Sequence, residues 1–312
     1  MNKRIFGVDL GGTTVKLGLF DPEGSVLEKW EIVTRKEDSG KLILPDIADA
    51  IKKKMQEKSI AKEDVIGVGI GVPGPVDSDG VIYKAANLGW GVFSIKEKLT
   101  GLLDGIRVEA GNDANVAALG EMWRGGGQGY DNMVAVTLGT GVGGGIIVDG
   151  KILTGAKGAG GEIGHILVEE KETEVCGCGK TGCLEQYASA TGVVRLANRR
   201  LAKDDKASVL RTEKINAKDV WDAVKAGDEL AIEVAEQFGE YLGKGLAAVA
   251  CVVNPDIFVI GGGVSKAGSV LMDYMVEPYK KYVFHGSRET KFALATLGND
   301  AGIYGAAKLV LD

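Results

Sequence analysis

Four residues in one short stretch have side chains that bind metal ions. His165 precedes Cys176, Cys178 and Cys183, and three thiolates with one imidazole form the tetrahedral ligand set of a structural zinc site. Because protein groups would fill every coordination position, this zinc would hold the chain rather than catalyse a reaction. A loop with reduced thiols is the alternative that the spacing leaves open.

Three glycine-rich turns follow predicted strands and could present backbone amides to an anion. They are DLGGTT (9–14), TLGTGVGGG (137–145) and IGGGVS (260–265). None continues into the Gly-Lys-Ser/Thr of a P-loop, and the second precedes a strand rather than the helix that a dinucleotide-binding turn requires. A hairpin tip can still hold phosphate through N–H groups, although ordinary tight turns explain each motif separately.

Side chains beside these turns suit a nucleotide. Thr13, Thr14 and Thr140 would add hydroxyl donors for phosphate, and Asp9, at the end of its strand, could hold Mg²⁺ through water. The third turn lies between a strand and a helical segment, a position that suits the flat face of a nucleoside.

Several carboxylates and amides have both a chemical and an ordinary explanation. Asp113 could act as a general base, but residue type alone favours N-capping by Asn112 or Asp113 of a helix predicted over 113–123. Likewise, Glu162 and Glu185 fit surface carboxylates and Asn87 fits a turn residue.

The elements that must position these residues alternate between strands and helices. Strands are predicted over 4–10, 14–20, 25–33, 65–70, 133–138, 146–148 and 257–260. Helices are predicted over about 42–57, 113–123, 185–201, 229–253, 267–280 and 300–311. The strand–glycine turn–strand pattern of residues 4–20 recurs after residue 133, which indicates two related α/β domains with a cleft between them.

The composition excludes several classes of protein. The chain has 312 residues with 48 glycines but only 6 prolines, unlike disordered or collagen-like sequences. A net charge of −6 with scattered basic residues argues against nucleic-acid binding. The apolar run Leu246–Val253 is too short for a membrane span, and without a secretory signal we expect a cytoplasmic protein. Cys251 is predicted to lie in the core.

The motifs together resemble the ROK family of sugar kinases and repressors, most closely its bacterial glucokinases. The resemblance rests on DLGGTTVKLG, VPGPVD, NLGW, GNDANVAALGE, TLGTGVGGG, GAGGEIGH and CGCGKTGCLEQ, which follow one another in the family's order. It departs at Gly111, where many relatives have Glu. The resemblance implies the actin-like ATPase fold (hexokinase/Hsp70-type, ribonuclease H-like), with two lobes and the nucleotide in the cleft between them.

Residue roles follow from the resemblance by position. It implies that Asp113 is the catalytic base, and it strengthens zinc binding by His165, Cys176, Cys178 and Cys183. The implied sugar contacts are Asn87, Asn112, Asp113, Glu162, His165 and Glu185. The implied nucleotide contacts are Asp9, Gly11, Gly12, Thr13, Thr14, Lys16, Thr140, Gly141, Gly262 and Gly263.

The expected activity is ATP- and Mg²⁺-dependent phosphorylation of glucose to glucose 6-phosphate, with structural Zn²⁺. N-acetylmannosamine, N-acetylglucosamine, fructose or allose are alternative sugars, and relatives are commonly dimers or tetramers. A sugar-binding repressor is disfavoured because only eight residues precede Asp9 and they already form a predicted strand. We expect one lobe over 1–112 with 300–312, and a larger lobe over 113–299 that carries a zinc loop (residues 165–187).

Overall fold

The computed structural model describes residues 3–83 and 85–311. At Ala86 only the backbone is described. The strands are β1 (Arg4–Leu10), β2 (Thr14–Phe20), β3 (Val26–Val33), β4 (Val65–Val72), β5 (Val81–Ile82), β6 (Phe93–Ser94), β7 (Val108–Asn112), β8 (Met133–Leu138), β9 (Val142–Val148), β10 (Lys151–Ile152), β11 (Ile257–Gly261) and β12 (Lys291–Leu294). The α-helices are α1 (Glu37–Gly40), α2 (Ile43–Glu57), α3 (Ile95–Leu102), α4 (Asp113–Arg124), α5 (Glu185–Ala188), α6 (Ala190–Leu201), α7 (Ala217–Lys225), α8 (Glu229–Val253), α9 (Val270–Tyr282) and α10 (Ala301–Leu309).

The two large sheets have the same construction. The first has the strand order β3-β2-β1-β4-β7 and the second the order β10-β9-β8-β11-β12. In each, a strand–turn–strand unit leads into two further strands that run parallel to its first strand. The predicted internal repeat and the α/β class are therefore confirmed.

Apolar side chains on β1, β2 and β4 build the core around the first sheet. Phe6, Val8 and Ile70 are fully buried there, together with residues of α2 such as Ile47 and Ile51. The spacing of four between the apolar residues of α2 places them on one face, which explains why this face packs against the sheet.

The helices α4 and α10 are in very close contact through glycines. A Cβ on Gly305 would lie 1.6 Å from the carbonyl oxygen of Val116, and a Cβ on Gly120 would lie 2.2 Å from that of Ala301. Only glycine allows the two backbones to approach this closely. This packing fixes α4, whose first residue is Asp113, within the unit that holds the first sheet.

The chain divides into two compact units. The first comprises Met1–Asp131, Gly145–Gly161 and Leu297–Asp312, and the second comprises Asn132–Gly144 and Glu162–Thr296. These bounds differ from the predicted ones mainly because α4 packs on α10 and so groups with the first unit. The division falls within β9.

Several local predictions differ from the structure. The strand predicted over 146–148 begins at Val142 instead, so the last residues of the second glycine turn belong to β9. The helix predicted over 185–201 is interrupted at Ser189, whose backbone is extended and whose hydroxyl caps α6 by accepting a hydrogen bond from the Gly192 amide. Cys251 is exposed rather than in the core, because the last turn of α8 directs Cys251 and Val252 to solvent. Among the described residues, no helix combines the length and apolarity that crossing a bilayer would require.

Candidate active site

The β1–β2 turn is held by its own backbone and by Thr34. The Gly11 amide donates to the Thr14 carbonyl at 3.0 Å. Thr34 donates its amide to the Thr13 carbonyl at 2.9 Å and its hydroxyl to the Gly11 carbonyl at 2.7 Å. Thr13 itself is exposed, and no atom lies within 4 Å of the point where a Cβ on Gly12 would be. The turn therefore offers an open and braced surface for an anion.

Asp9 is a mostly buried carboxyl beside this turn. Burial raises its pKa to about 6, while the charge of Lys16, its partner across β1 and β2, lowers it and the charge of Asp113 raises it. The backbone of Gly302 packs directly on Asp9, since a Cβ there would lie 2.5 Å from Cγ. Lys16 donates to the Asn299 carbonyl at 3.0 Å. A bound divalent cation would compensate the buried charge of Asp9, and a carboxylate is a ligand that Mg²⁺ prefers.

Asn112 is the residue that caps α4. Its side-chain oxygen accepts hydrogen bonds from the amides of Ala114 and Asn115, at 3.0 and 3.2 Å. Its side-chain nitrogen donates to the Gly74 carbonyl at 3.1 Å and to Oδ1 of Asp113 at 3.0 Å. The same Oδ1 accepts from the Ala114 amide at 2.8 Å, so the Asp113 carboxylate is oriented from two sides.

Asn87 lies on a separate turn of the first unit. It is exposed in a 3-10 segment between Ala85 and Trp90, which bond to each other through their backbones. Trp90 anchors the segment because its indole nitrogen donates to the Gly40 carbonyl at 3.2 Å. The structure thus groups Asp9, Lys16, Asn112 and Asp113 and places Asn87 on its own braced turn.

In the second unit, the two remaining glycine turns are neighbours. Gly262 has φ +86°, and a Cβ there would lie 2.6 Å from the backbone of Leu138, which precedes the other turn. That turn is fixed to the start of α6, since Thr191 donates its hydroxyl to the Thr140 carbonyl at 2.6 Å. Gly141 faces Glu185, because a Cβ on Gly141 would lie 2.5 Å from Oε2 of the glutamate. Near Gly263 the corresponding space is open.

The predicted zinc ligands converge in the second unit. One ligand atom each from His165, Cys176, Cys178 and Cys183 lies within 4.8 Å of all the others. The sulfurs of Cys178 and Cys183 are 3.5 Å apart, and Nδ1 of His165 is 3.8 Å from the sulfur of Cys176. A tetrahedral zinc with bonds of about 2.3 Å places its sulfur ligands about 3.8 Å apart, so the cluster has suitable dimensions.

The protonation chemistry of this cluster also suits a cation. Burial raises the pKa of the Cys176 thiol to about 12, whereas a backbone hydrogen bond from Lys180 lowers the pKa of the Cys178 thiol. A thiol as buried as Cys176 ionises near neutral pH when a metal supplies positive charge. The donor set therefore fits zinc.

Two carboxylates lie near the two ring nitrogens of His165, one at each nitrogen. Oε1 of Glu185 is 3.7 Å from Nδ1, and Oε2 of Glu162 is 4.0 Å from Nε2. Oε1 of Glu185 also accepts from the Cys176 thiol at 2.9 Å. The structure therefore places Glu162 and Glu185 next to His165 of the Cys/His cluster. Glu185 also lies next to Gly141.

Glu172, a buried charged residue of the zinc loop, was not among the predicted site residues. Glu172 pairs with Arg195 and Arg199 of α6, at 2.7 and 3.0 Å. The spacing of the arginines places two cations on one helix face, but nothing in the run VEEKETEV marks which acid would meet them.

Comparisons with known proteins identify the family of the chain. The ROK family profile matches residues 5–312. A glucokinase of Halalkalibacterium halodurans is 46% identical over 97% of this chain and 94% of its own length.

Two solved structures are also similar. The ROK hexokinase of Thermus thermophilus has a TM-score of 0.81 at 32% identity, covering 98% of this chain and 97% of that chain. A ROK family glucokinase of Streptomyces griseus in complex with glucose and AMPPNP has a TM-score of 0.72 at 36% identity, covering 98% of both chains. The chain therefore belongs to the ROK family, and its fold is that of the actin-like ATPases.

Proposed function

We propose that this protein is an ATP-dependent glucokinase that converts glucose to glucose 6-phosphate. The observation that carries the proposal is the Asp113 carboxylate, whose Oδ1 accepts from the Asn112 side chain and from the Ala114 amide while Asn112 occupies the N-cap position. Because Asn112 already bonds the amides of Ala114 and Asn115, the cap does not require Asp113, and a positioned carboxylate is what transfer to a sugar hydroxyl needs. Relatives of matching length with glucokinase names support the substrate.

Asp113 acts in this proposal as the general base. It accepts the proton of the attacking sugar hydroxyl as that oxygen bonds to the γ-phosphorus of ATP and the bond to ADP breaks. Because the transition state of phosphoryl transfer is loose, the proton leaves late and the base chiefly orients the hydroxyl. The two hydrogen bonds to Oδ1 hold the Asp113 carboxylate in one orientation, as orienting a hydroxyl requires.

The nucleotide is assigned to the three glycine turns. Backbone amides at Gly12 and Gly141 and hydroxyls of Thr13, Thr14 and Thr140 would donate to phosphate oxygens, while Gly11, whose amide donates to the Thr14 carbonyl, would keep the turn tight. Gly262 and Gly263 would admit the nucleoside without side-chain obstruction. Lys16 and a Mg²⁺ held through Asp9 would supply positive charge for the phosphates when the nucleotide is bound.

The sugar is assigned to amide and carboxylate groups. Asn87 and Asn112 in the first unit, and Glu162, His165 and Glu185 in the second, would form directional hydrogen bonds to its hydroxyls. His165 would bind zinc through Nδ1, the nitrogen nearest Cys176, and use Nε2 for a hydroxyl. Zinc would thus hold the loop that carries two of these groups.

A coupled assay of ADP release across a panel of hexoses tests the assignment. The panel includes glucose, N-acetylmannosamine, N-acetylglucosamine, fructose and allose, with Asp113→Asn as the matched control. We expect glucose to give the highest kcat/KM. A higher value with another sugar would reassign the substrate, and no sugar-stimulated release would overturn the kinase assignment.

A further inference from the structure

Glu172 is an acidic residue inside the zinc loop that is shielded from water. Its side chain is only 2% exposed, although it is four positions before Cys176 in a segment rich in charged residues. An isolated buried carboxylate is strongly unfavourable, so this one must be compensated by nearby donors.

Five hydrogen bonds and one further ion pair compensate the Glu172 carboxylate. Arg199 donates from Nη1 to Oε2 at 3.0 Å and from Nη2 to Oε1 at 3.1 Å, which is a bidentate pair. Arg195 lies 2.7 Å from Oε2, and the Tyr187 hydroxyl donates to the same oxygen. The amides of Thr173 and Glu174 both donate to Oε1 at 2.9 Å.

These donors keep the Glu172 carboxyl group ionised. Burial acts to raise the pKa of Glu172, but the hydrogen bonds from Arg199 and Tyr187 and the charge of Arg195 outweigh it and bring the pKa well below the usual range. The carboxylate thus joins two positions of the zinc loop to each other, at Glu172 and Tyr187, and joins both to α6.

A second set of contacts ties the same segment to α8. The Tyr187 ring stacks on Tyr241, with centroids 4.0 Å apart, and the Tyr241 hydroxyl donates to Glu169 at 3.0 Å. Lys244 donates to the Val168 carbonyl at 2.7 Å. Tyr187 follows Glu185 by two residues, so the contacts of Tyr187 also constrain the start of α5, where Glu185 stands.

We propose that Glu172 is a positioning residue that pre-arranges the zinc loop for metal and, through Glu185 and His165, for the sugar. The part of this inference that concerns sugar binding rests on the proposed function, and the part that concerns metal binding rests on the Cys/His cluster. It requires that loss of the carboxylate loosen metal binding and sugar binding together, with a smaller effect on nucleotide binding, because Glu185 and α6 also contact the turn at Thr140 and Gly141.

The test compares Glu172→Gln with Glu174→Gln. Glu174 pairs with the same two arginines at 3.0 and 2.8 Å, but its side chain is 62% exposed, which makes it a matched surface control. Each zinc-loaded protein is mixed with a chromophoric chelator, and the rate of zinc transfer is recorded beside KM for glucose, KM for ATP and kcat.

For Glu172→Gln we expect the rate of zinc release and KM for glucose to rise by about tenfold or more, with a smaller change in KM for ATP. For Glu174→Gln we expect both values within about twofold of the parent. A Glu172→Gln protein that folds, releases zinc at the parent rate and keeps its KM for glucose would overturn the inference.

Arg199→Lys covers the case in which Glu172→Gln does not fold. This variant keeps the positive charge and loses the bidentate pair, so zinc release should still be faster than in the parent. Parent-like release from Arg199→Lys would equally overturn the inference. A parent that retains zinc but phosphorylates no sugar would instead refute the proposed function, since the release rates do not depend on turnover.

Discussion

The side-chain amide of Asn112 donates to Oδ1 of Asp113 at 3.0 Å while its oxygen caps α4. One residue therefore fixes the helix end and the other presents a carboxylate. Asp113→Asn should lower kcat by about 10²–10⁴ and leave the melting temperature nearly unchanged, because the cap remains. Steady-state kinetics with thermal unfolding checks this, and normal turnover with reduced stability would return Asp113 to a capping role.

The cap itself gives a second prediction. Asn112→Ala removes two acceptor contacts to α4 and the donor to the Gly74 carbonyl, so it should destabilise the fold by about 1 kcal/mol. Asn112→Ser keeps a capping oxygen without placing a second carboxylate beside Asp113, so it should recover part of that loss. Urea denaturation of both variants measures the difference, and equal stabilities would show that the cap contributes little.

The raised pKa of Asp9 indicates that its carboxylate lowers the stability of the nucleotide-free protein, although we propose that activity requires it. Its folded-state pKa of about 6 exceeds the ordinary value of 3.8, so the folded chain holds this proton more tightly than the unfolded chain. Stability therefore falls as the pH rises between these two values, and the loss is complete above the higher one.

Asp9→Asn removes this cost. In nucleotide-free protein it should raise the free energy of unfolding above pH 6 by up to about 3 kcal/mol, with a smaller gain toward pH 4, while kcat with ATP falls. Denaturant melts at about pH 4 and about pH 7.5, near the lower of the two pKa values and above the higher one, test it. A gain that is larger at the acidic end would contradict the argument.

Removal of the metal should weaken sugar binding and lower the stability of the second unit. Chelation would remove the zinc bonds that hold the loop between His165 and Cys183, so the melting temperature should fall and glucose affinity should be lost. Zinc should restore both properties. Cys251→Ser, at an exposed cysteine outside the cluster, is the control and should behave as the parent. Chelated protein that keeps its melting temperature and glucose affinity would refute the zinc role.

The contact between α4 and α10 should not tolerate side chains. A Cβ at Gly305 would lie 1.6 Å from the Val116 carbonyl oxygen, so Gly305→Ala should destabilise the protein by about 3 kcal/mol or more. Gly101→Ala, in α3, meets no atom within 4 Å and should be neutral or stabilising by up to about 1 kcal/mol. Thermal melts of the two variants should move in different directions.

Periodicity predicted most of the strands and the repeated hairpins, because alternating burial and glycine turns are local signals. It missed the break at Ser189, although serine is a preferred N-cap, because apolar spacing continues across it. It also left open whether Asn112 or Asp113 caps α4, since either side chain can do so.

Contacts between distant parts of the chain had no local signal. The approach of Gly302 to Asp9 joins residues almost 300 positions apart, and Glu172 meets Arg199 across 27 positions. The family resemblance proposed residues for substrate contact, but it did not point to Glu172, Arg199 or Gly302, which hold such residues in place.

The most direct test of the central claim is ³¹P NMR of the protein with Mg²⁺, ATP and glucose. The account predicts that glucose 6-phosphate and ADP appear in equal amounts with the parent, and at a rate lower by about 10²–10⁴ with Asp113→Asn. Unchanged ATP, or inorganic phosphate without a sugar phosphate, would contradict it.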